Sequence, residues 1–295
     1  MSEHEWLSGE FERHRPRLRG VAFRMLGSTA EADDAVQETW LRASRAGGAD
    51  VANLEAWLTT IAARVCLNLL RARSTRRETP LDVHVPDPIV SPASGLDPEH
   101  EALLADSVGL ALQVVLQTLT PAERLAFVLH DMFAVPFEDI GPLVERSPAA
   151  ARQLASRARR RVQSQPTSPD RDTSRQRAVV EAFFTASREG DFAALVEVLA
   201  PDVILRSDGG PARPRLTFTL HGPEQVATQA LASSRLSPFV YPALVNGAAG
   251  VVVASAPDRP LFVMAFTVVS GRIAAVDVLA DPDRLRALDL SLLGG

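Results

Sequence analysis

Residues Leu119 to Gln163 read LTPAERLAFVLHDMFAVPFEDIGPLVERSPAAARQLASRARRRVQ, and their punctuation divides them into three short helices. Thr120 reads as an N-cap, with Pro121 at the first helical position and Glu123 three residues on, the signature of a capping box. Leu125, Ala126, Leu129 and Met132 then recur at helical spacing. A second helix, about Phe137 to Val144, offers Ile140, Leu143 and Val144 to the same core. The link Glu145-Arg146 is brief, and Ser147-Pro148 restarts a helix as N-cap and first position.

On that third helix Ala151, Leu154, Ala155, Ala158 and Val162 share one face at the 3.6-residue period. Arg152, Gln153, Ser156, Arg157, Arg159, Arg160 and Arg161 cover the rest, and no acid interrupts the run from Arg146 to Gln165. Two helices joined by a tight turn, the second amphipathic and basic, form the helix-turn-helix pattern that lays a recognition helix in the major groove. A run of arginines is more often a solvated helix face. Here the missing counter-acids and the short turn favour DNA. Arg152 and Gln153, near the helix start, suit guanine and adenine edges. Ser147, Ser156, Arg157 and Arg160 suit phosphates, whereas Arg159 and Arg161 fit either phosphate or solvent.

The totals set the frame. A chain of 295 residues, 46% hydrophobic, has room for two or three domains with their own cores. The net charge of −5 confines nucleic-acid contact to local patches. Every basic residue besides histidine is arginine, which suits phosphate and guanine contacts. Cys66, the single cysteine, cannot form an internal disulfide. The N-terminal residues lack the apolar core of a signal peptide, and no apolar run is long enough to span a bilayer. The expectation is an intracellular, cytoplasmic protein. The six histidines are scattered, no metal-ligand spacing appears, and no glycine-rich phosphate loop precedes a helix. No cofactor is expected.

From Glu3 to about Arg77 the pattern is helical. Leu18, Val21, Ala22, Met25 and Leu26 make one apolar face, closed by Gly27-Ser28. In the next helix Ala32, Ala35, Val36, Thr39, Trp40 and Ala43 point inward, while Asp33, Asp34, Gln37 and Glu38 stand outside. A third helix buries Trp57, Ile61, Val65, Leu69 and Leu70 and ends in Arg71, Arg73, Arg76 and Arg77. Cations at a helix C-terminus complement its dipole, but four within seven residues exceed what a cap needs, so a phosphate-binding role stands beside that reading.

These residues carry a resemblance. FRMLGSTAEADDAVQETWLRA and AWLTTIAARVCLNLLRAR resemble the second conserved region of bacterial sigma-70 family initiation factors of the extracytoplasmic-function (ECF) type, and residues 119–163 resemble the fourth. Together they span about half the chain in the family's order. The resemblance implies that Asp33, Asp34, Gln37 and Glu38 bind core RNA polymerase. It also implies that the second region captures a flipped base of the −10 element, using the Gly47–Asn53 loop with Arg64, Asn68 and Arg71, and that the fourth region reads the −35 element. A flipped base leaves the stack more cheaply once the duplex is open.

Glu78 to Pro98, rich in proline and aspartate, reads as a linker in extended or turn conformations. Glu99 to Leu116 resumes helix, and Gln165 to Ser174 reads as a second linker. Beyond it come two helices, one from Arg175 with Val179, Val180, Ala182, Phe183 and Phe184 inward and one from Asp191. Strands follow at 203–206, 215–220, 240–245, 251–255, 261–269 and 272–279, with a helix over 222–234 between them. Helices followed by an antiparallel sheet give an α+β domain. Its order resembles the SnoaL-like fold, a cone-shaped α+β barrel shared with ketosteroid isomerases and polyketide cyclases and carried at the C-terminus of one ECF subgroup. That subgroup's Leu-Pro-Glu-Pro, Asp-Gly-Gly-Gly and Asn-Pro-Asp-Lys-Leu elements are approximated by Val85-Pro86-Asp87-Pro88, by Asp208-Gly209-Gly210 before Pro211, and by Asp281-Pro282-Asp283-Arg284-Leu285.

The expected organisation is therefore a region-2 helical bundle over 1–77, a linker over 78–98, a region-4 helix-turn-helix over 99–164, a linker over 165–174 and a SnoaL-like regulator over 175–295. The C-terminal domain is expected to contact Pro86, Asp87 and Pro88 through the Asp208–Gly210 loop or the Asp281–Leu285 tail. Two rivals stand beside this reading. As an enzyme, the last domain would use Asp208, His221 or Asp277 as a base in an apolar pocket, with Arg206 as anion partner; fold does not imply activity, and a pocket that binds a small molecule without catalysis is the simpler alternative. As a one-component repressor, the chain would need only the helix-turn-helix, leaving the Asp33–Arg42 and Trp57–Arg73 blocks unexplained.

Overall fold

A computed structural model describes residues 3–48, 51–76, 83–93, 110–165, 170, 172–234, 239–256, 259–288 and 290. The chain divides into two compact units, one of residues 1–79 and 115–165, the other of residues 80–114 and 166–295.

In the first unit, α1 (Glu3–Leu26), α2 (Thr29–Ala46) and α3 (Leu54–Arg76) pack on one another. Gly27, at φ 78°, ends α1 in a backbone conformation that residues with a Cβ rarely adopt, and its amide donates to the Phe23 carbonyl at 2.8 Å. Ala32, Ala35, Val36, Thr39 and Ala43 are buried as the spacing predicts, with the Thr39 hydroxyl donating to the Ala35 carbonyl. Leu69 differs: it is 39% exposed, because it shares the outer face of α3 with Asn68 while Leu70 takes the inward position.

The division between the units falls inside α4 (Leu110–Thr118). Then α5 (Pro121–Phe127) starts with the capping box of Thr120 and Glu123 formed in full and ends in a wide π-turn over Val128–Met132. The helix-turn-helix comprises α6 (Phe137–Leu143) and α7 (Pro148–Gln163), the latter capped by the Ser147 hydroxyl, which accepts from the Ala150 amide at 3.2 Å. Gly141 lets the two helices close: a Cβ there would lie 2.8 Å from the Arg146 carbonyl. Arginines tie these helices to the first three. Arg124 donates to the Met25 carbonyl at 2.8 Å and Arg17 to the Phe133 carbonyl at 2.9 Å, and the Arg17 and Arg24 guanidiniums lie 5.3 and 5.1 Å from the centre of the Phe133 ring.

The second unit is α+β. Helices α8 (Thr173–Glu189) and α9 (Phe192–Val198) precede a seven-stranded sheet of order β1-β4-β5-β6-β7-β2-β3. Its strands are β1 (Val90–Pro92), β2 (Leu199–Asp208), β3 (Phe218–His221), β4 (Phe239–Val245), β5 (Ala248–Ala256), β6 (Arg259–Val269) and β7 (Arg272–Leu279), with α10 (Pro223–Ser234) before β4 and α11 (Pro282–Ala287) after β7. All pairings are antiparallel except that of β2 with β7. Asn246-Gly247 and Ser270-Gly271, all at positive φ, form the two-residue turns that tight hairpins need. Both faces of the sheet are covered, so β5 is apolar at successive positions: Val251 and Val253 pack towards α8, α9 and α10, and Val252 packs towards Val83, Val85 and Val90.

That second face explains the first of several departures from the sequence reading. Residues 83–93, whose proline content reads as linker, include a strand: Val83, Val85, Ile89 and Val90 are buried, and β1 pairs with β4 in the register Val90↔Val245. Their apolar alternation is masked by the prolines between. In the 165–174 stretch, Asp170 is fastened to the β6–β7 hairpin, its carboxylate accepting from the Ser270 and Gly271 amides at 3.0 Å. The strand expected over 215–220 begins at Phe218 instead, because Pro214–Leu216 form a short 3-10 turn. Ala182 also differs, lying on the exposed side of α8. Of the helix expected over 99–116, only its end from Leu110 lies within the described residues.

Candidate functional site

The basic helix α7 presents two classes of arginine. Arg157 donates from Nε to Glu123 at 3.1 Å, Arg159 to Asp131 at 2.8 Å, and Arg161 to the Thr118 carbonyl at 3.4 Å. Burial alone would raise the Glu123 carboxyl. Hydrogen bonds from Thr120 and Arg157, with the charge of Arg161 beside them, outweigh burial and hold it below the usual carboxylate range. One acid thus closes the capping box of α5 and fastens the recognition helix. Arg152, Gln153, Ser156 and Arg160 are exposed, and the Arg152 guanidinium lies 5.3 Å from the centre of the Phe137 ring. The side chains proposed for base edges therefore face solvent, whereas Arg157 is already paired and Ser147 is engaged as the cap.

On α3, Arg64, Asn68 and Arg71 are exposed on one face at spacings of four and three residues, which a helix brings into line. Arg71 reaches Glu145 at 3.4 Å. Arg73 turns inward, donating to the Leu26 carbonyl at 3.2 Å and pairing with Glu31. The side chain of Arg76 and all of Arg77 lie outside the described residues. On α2, Asp33, Asp34 and Gln37 are exposed and Glu38 half-buried; Arg19 holds Asp33 at 2.6 Å and Arg42 holds Glu38 at 2.7 Å. Leu41, 39% exposed, continues that face one turn past Gln37. It passes unnoticed when apolar residues are assigned to the core by type, although its spacing from Asp34 and Gln37 marks it.

In the second unit the three proline- and glycine-bearing elements meet. Asp208, 1% exposed at the end of β2, accepts from the Val85 amide at 3.0 Å, the Gly210 amide at 3.0 Å and the Arg284 guanidinium at 2.9 Å; His84 Nδ1 lies 3.3 Å away. Burial would push the Asp208 carboxyl up. Hydrogen bonds from His84 and Val85 and the charges of Arg284 and His84 outweigh it and hold the carboxyl low. Arg284 also donates to Asp87 at 2.6 Å and to the Val85 carbonyl. Asp281 caps α11 through the amides of Asp283 and Arg284, with Pro282 at the first position, and thereby aims Arg284 back at the cluster. Gly210, at φ 60°, sits so close to Asp281 that a Cβ would overlap its carboxylate. Pro86 and Pro88 are buried on either side of Asp87. Of the proposed residues, Asp283 alone points away from the cluster, pairing with Arg286 on the surface. Composition does not single out His84 as a partner, because the signal is positional: it immediately precedes the Val85 amide that Asp208 binds.

Residues 11–76 match the family described as Sigma-70 region 2, and residues 109–162 match Sigma-70, region 4. The chain is 37% identical to the ECF RNA polymerase sigma factor SigJ of Mycobacterium tuberculosis over 288 residues, 93% of this chain and 92% of that one. It belongs to the ECF RNA polymerase sigma factors. A second relative from the same organism, "Probable ECF RNA polymerase sigma factor SigI", is 34% identical over the whole length of both chains. The crystal structure of SigJ matches this sigma factor at a TM-score of 0.77 and 33% identity, covering 96% of this chain and 99% of that one. The repressor reading falls with this assignment, since it has no place for the region-2 match.

Of the groups that an enzyme reading would use, Asp277 and Arg206 are paired with each other in this sigma factor. Asp277, 1% exposed, is held by Arg206 at 2.6 Å across the β2–β7 pair. Asp208 is committed to the junction, and His221 is exposed at the end of β3. Among the described residues no cluster of His, Cys, Asp and Glu has the make-up of a metal site, and no helix is long and apolar enough to cross a membrane.

Proposed function

We propose that this ECF sigma factor works in the cytoplasm, bringing core RNA polymerase to promoters, with polymerase bound by the α2 face of Asp33, Asp34, Gln37 and Glu38. Region 2 captures the −10 element through Arg64, Asn68 and Arg71, aided by Arg73, Arg76 and Arg77. Region 4 reads the −35 element through Arg152 and Gln153, with Ser147, Ser156, Arg157 and Arg160 on phosphates. The C-terminal unit acts as a regulator in cis, without catalysis, by gripping residues 84–88, a segment of the chain between the two DNA-binding regions. One observation carries this last step: a single buried carboxylate, Asp208, binds the Val85 amide while Arg284 bridges Asp208 to Asp87. Loss of that grip changes the freedom of the connection between the −10 and −35 readers, and hence promoter output.

The test is run-off transcription with purified bacterial core polymerase and the full chain, on the DNA upstream of its own gene. A transcript that depends on the protein, and that changes in amount with Asp208→Ala or Arg284→Ala, is the expected result. Equal output from both variants would remove control in cis. No transcript and no binding to core polymerase would remove the polymerase and promoter assignments.

A further inference from the structure

The helix-covered face of the sheet in the second unit is not filled. Between α8, α10 and strands β2, β5 and β6 lies a cavity of about 130 Å³. Its walls include Phe183, Phe184, Phe218, Phe262 and Met264, with Ser207 at one side. A pocket of about this size with mainly apolar walls has room for one aromatic ring. Aromatic edges and a thioether favour a flat, polarisable guest over a branched aliphatic one.

The polar atoms decide the rest of the guest. The Ser187 hydroxyl is spent on the Ala230 carbonyl, that of Ser234 on the Leu231 carbonyl, and the Gln229 side-chain nitrogen donates to Ser233. Ser207 is 4% exposed and lines the cavity. A hydroxyl at the wall of a mainly apolar cavity is a point that orients a ligand's polar group. Arg188 stands at the rim and is exposed, so solvent screens any pair it makes with an anionic head group. The interior offers no charge to a buried carboxylate.

We propose that this cavity binds a small neutral aromatic molecule with one hydroxyl or carbonyl directed at Ser207, and that its occupancy is sensed at the Asp208 junction. The sensing step rests on the regulatory reading above. Its route is short. Ser207 and Val278 are register partners on β2 and β7 and both line the cavity; the next pair, Asp208 and Leu279, faces the other side of the sheet. Leu216, also on the cavity wall, lies in the loop after Gly209, where the Gly209 amide donates to Thr217 at 3.0 Å and Arg213 donates to the Ala280 carbonyl at 3.1 Å. A guest pressing on Ser207, Leu216 and Val278 therefore bears on the residues that flank Asp208.

The experiment is fluorine NMR of 4-fluorophenol, 4-fluorotoluene and 4-fluorobenzoate titrated with the full-length protein, together with amide exchange at Val85. The two neutral probes should bind, the phenol about fivefold more tightly because its hydroxyl meets Ser207. Benzoate should bind at least about tenfold more weakly than the phenol, having to bury its charge. Ser207→Ala should erase the preference for the phenol, and Ala230→Leu should abolish binding of both neutral probes without lowering the melting temperature. Saturating 4-fluorophenol should change the exchange rate of the Val85 amide in the wild type and leave it unchanged in Ala230→Leu. No binding of the neutral probes, benzoate bound as well as the phenol, or full binding by Ala230→Leu would each overturn the site. Binding with no change at Val85 would overturn the sensing. These results are independent of transcription, so a failure of control in cis, seen as unaltered output from Asp208→Ala, is read separately.

Discussion

Replacing Asp208 by alanine should free residues 84–88 while leaving the sheet intact. The wild-type carboxylate is 1% exposed and accepts from two backbone amides and the Arg284 guanidinium, all within 3.0 Å. A buried donor stripped of its acceptor costs about 1–3 kcal/mol, and removing one member of a buried ion pair costs about 3–5 kcal/mol. Not all of that applies here. Arg284 is 21% exposed in its side chain and keeps Asp87 as partner, so its share falls well below the buried-pair figure. The Gly210 amide sits in a turn whose adjacent Pro211 is exposed. The Val85 amide is the donor with no replacement. We expect a net loss of about 3 kcal/mol in the grip on this segment, which is roughly a hundredfold in its open population. Hydrogen exchange followed by mass spectrometry reads this directly: peptides covering Val83–Ile89 should exchange on the order of a hundredfold faster, while peptides from β5 and β6 keep their rates. Asp208→Asn, which retains one acceptor oxygen but turns an amide group towards Arg284, should fall between. Asp283→Ala, on the surface side of the same helix, should change nothing. The reasoning fails if peptides across the whole second unit accelerate together, since Asp208 would then be a general stability residue. It fails equally if the Val83–Ile89 peptides keep their wild-type rate.

Further expectations follow from the remaining site residues. Because Asp208 is held below the ordinary 3.8, its contribution is fully present above that pH and is lost as the pH falls through its lower folded value. The stability difference between wild type and Asp208→Asn, followed by chemical denaturation, should therefore shrink as the pH falls below about 4. Glu123→Gln keeps a cap-competent side chain but releases Arg157 and Arg161; stability should change by less than about 1 kcal/mol, and the salt dependence of binding to nonspecific duplex should steepen by up to about one phosphate contact, that of Arg161, since Arg157 already has one. A shallower slope would show that Glu123 orients those arginines towards DNA instead of withholding them. Arg152→Ala and Gln153→Ala should each cost about 1–3 kcal/mol at one base pair of the −35 element, whereas Arg160→Ala should weaken all sequences alike, as measured on a panel of single-substitution promoters. Cys66 is 0% exposed and burial pushes its thiol up to about 12; it should resist a thiol reagent at pH 7 in the native protein and react once the chain is unfolded in guanidinium.

The helix-turn-helix was legible in the sequence because each boundary there is written by a local rule. Thr120 with Glu123, Ser147 with Pro148, and the alanines of α7 are caps and periods that need no partner to be recognised, and the structure forms every one of them. Other features depend on partners distant in the chain. Leu69 and Leu70 are chemically the same, and only the position of α1 and α2 decides which one is buried. Residues 83–93 could be read as linker because their pairing lies with β4, some 150 residues on; a strand whose partner is remote leaves no local hairpin signature. Yet the prolines that disguise this strand also confine it to extended geometry, lowering the entropy lost when it is gripped. A flexible, serine-rich segment would hold the same alternation of apolar residues less tightly. The one place where local and distant rules meet is Asp208. The Gly209-Gly210 pair after it is visible as a turn, but an aspartate before two glycines reads equally as a simple turn residue. What sets it apart is that its carboxylate is turned inward, onto an amide 123 residues earlier in the chain. An inward carboxylate is weakened by isosteric loss of charge. For that reason Asp208→Asn, the smallest possible change at the junction, discriminates better than any truncation between a turn residue, which would accept asparagine without effect, and the acceptor that ties the C-terminal unit to the connection between the two DNA-reading regions.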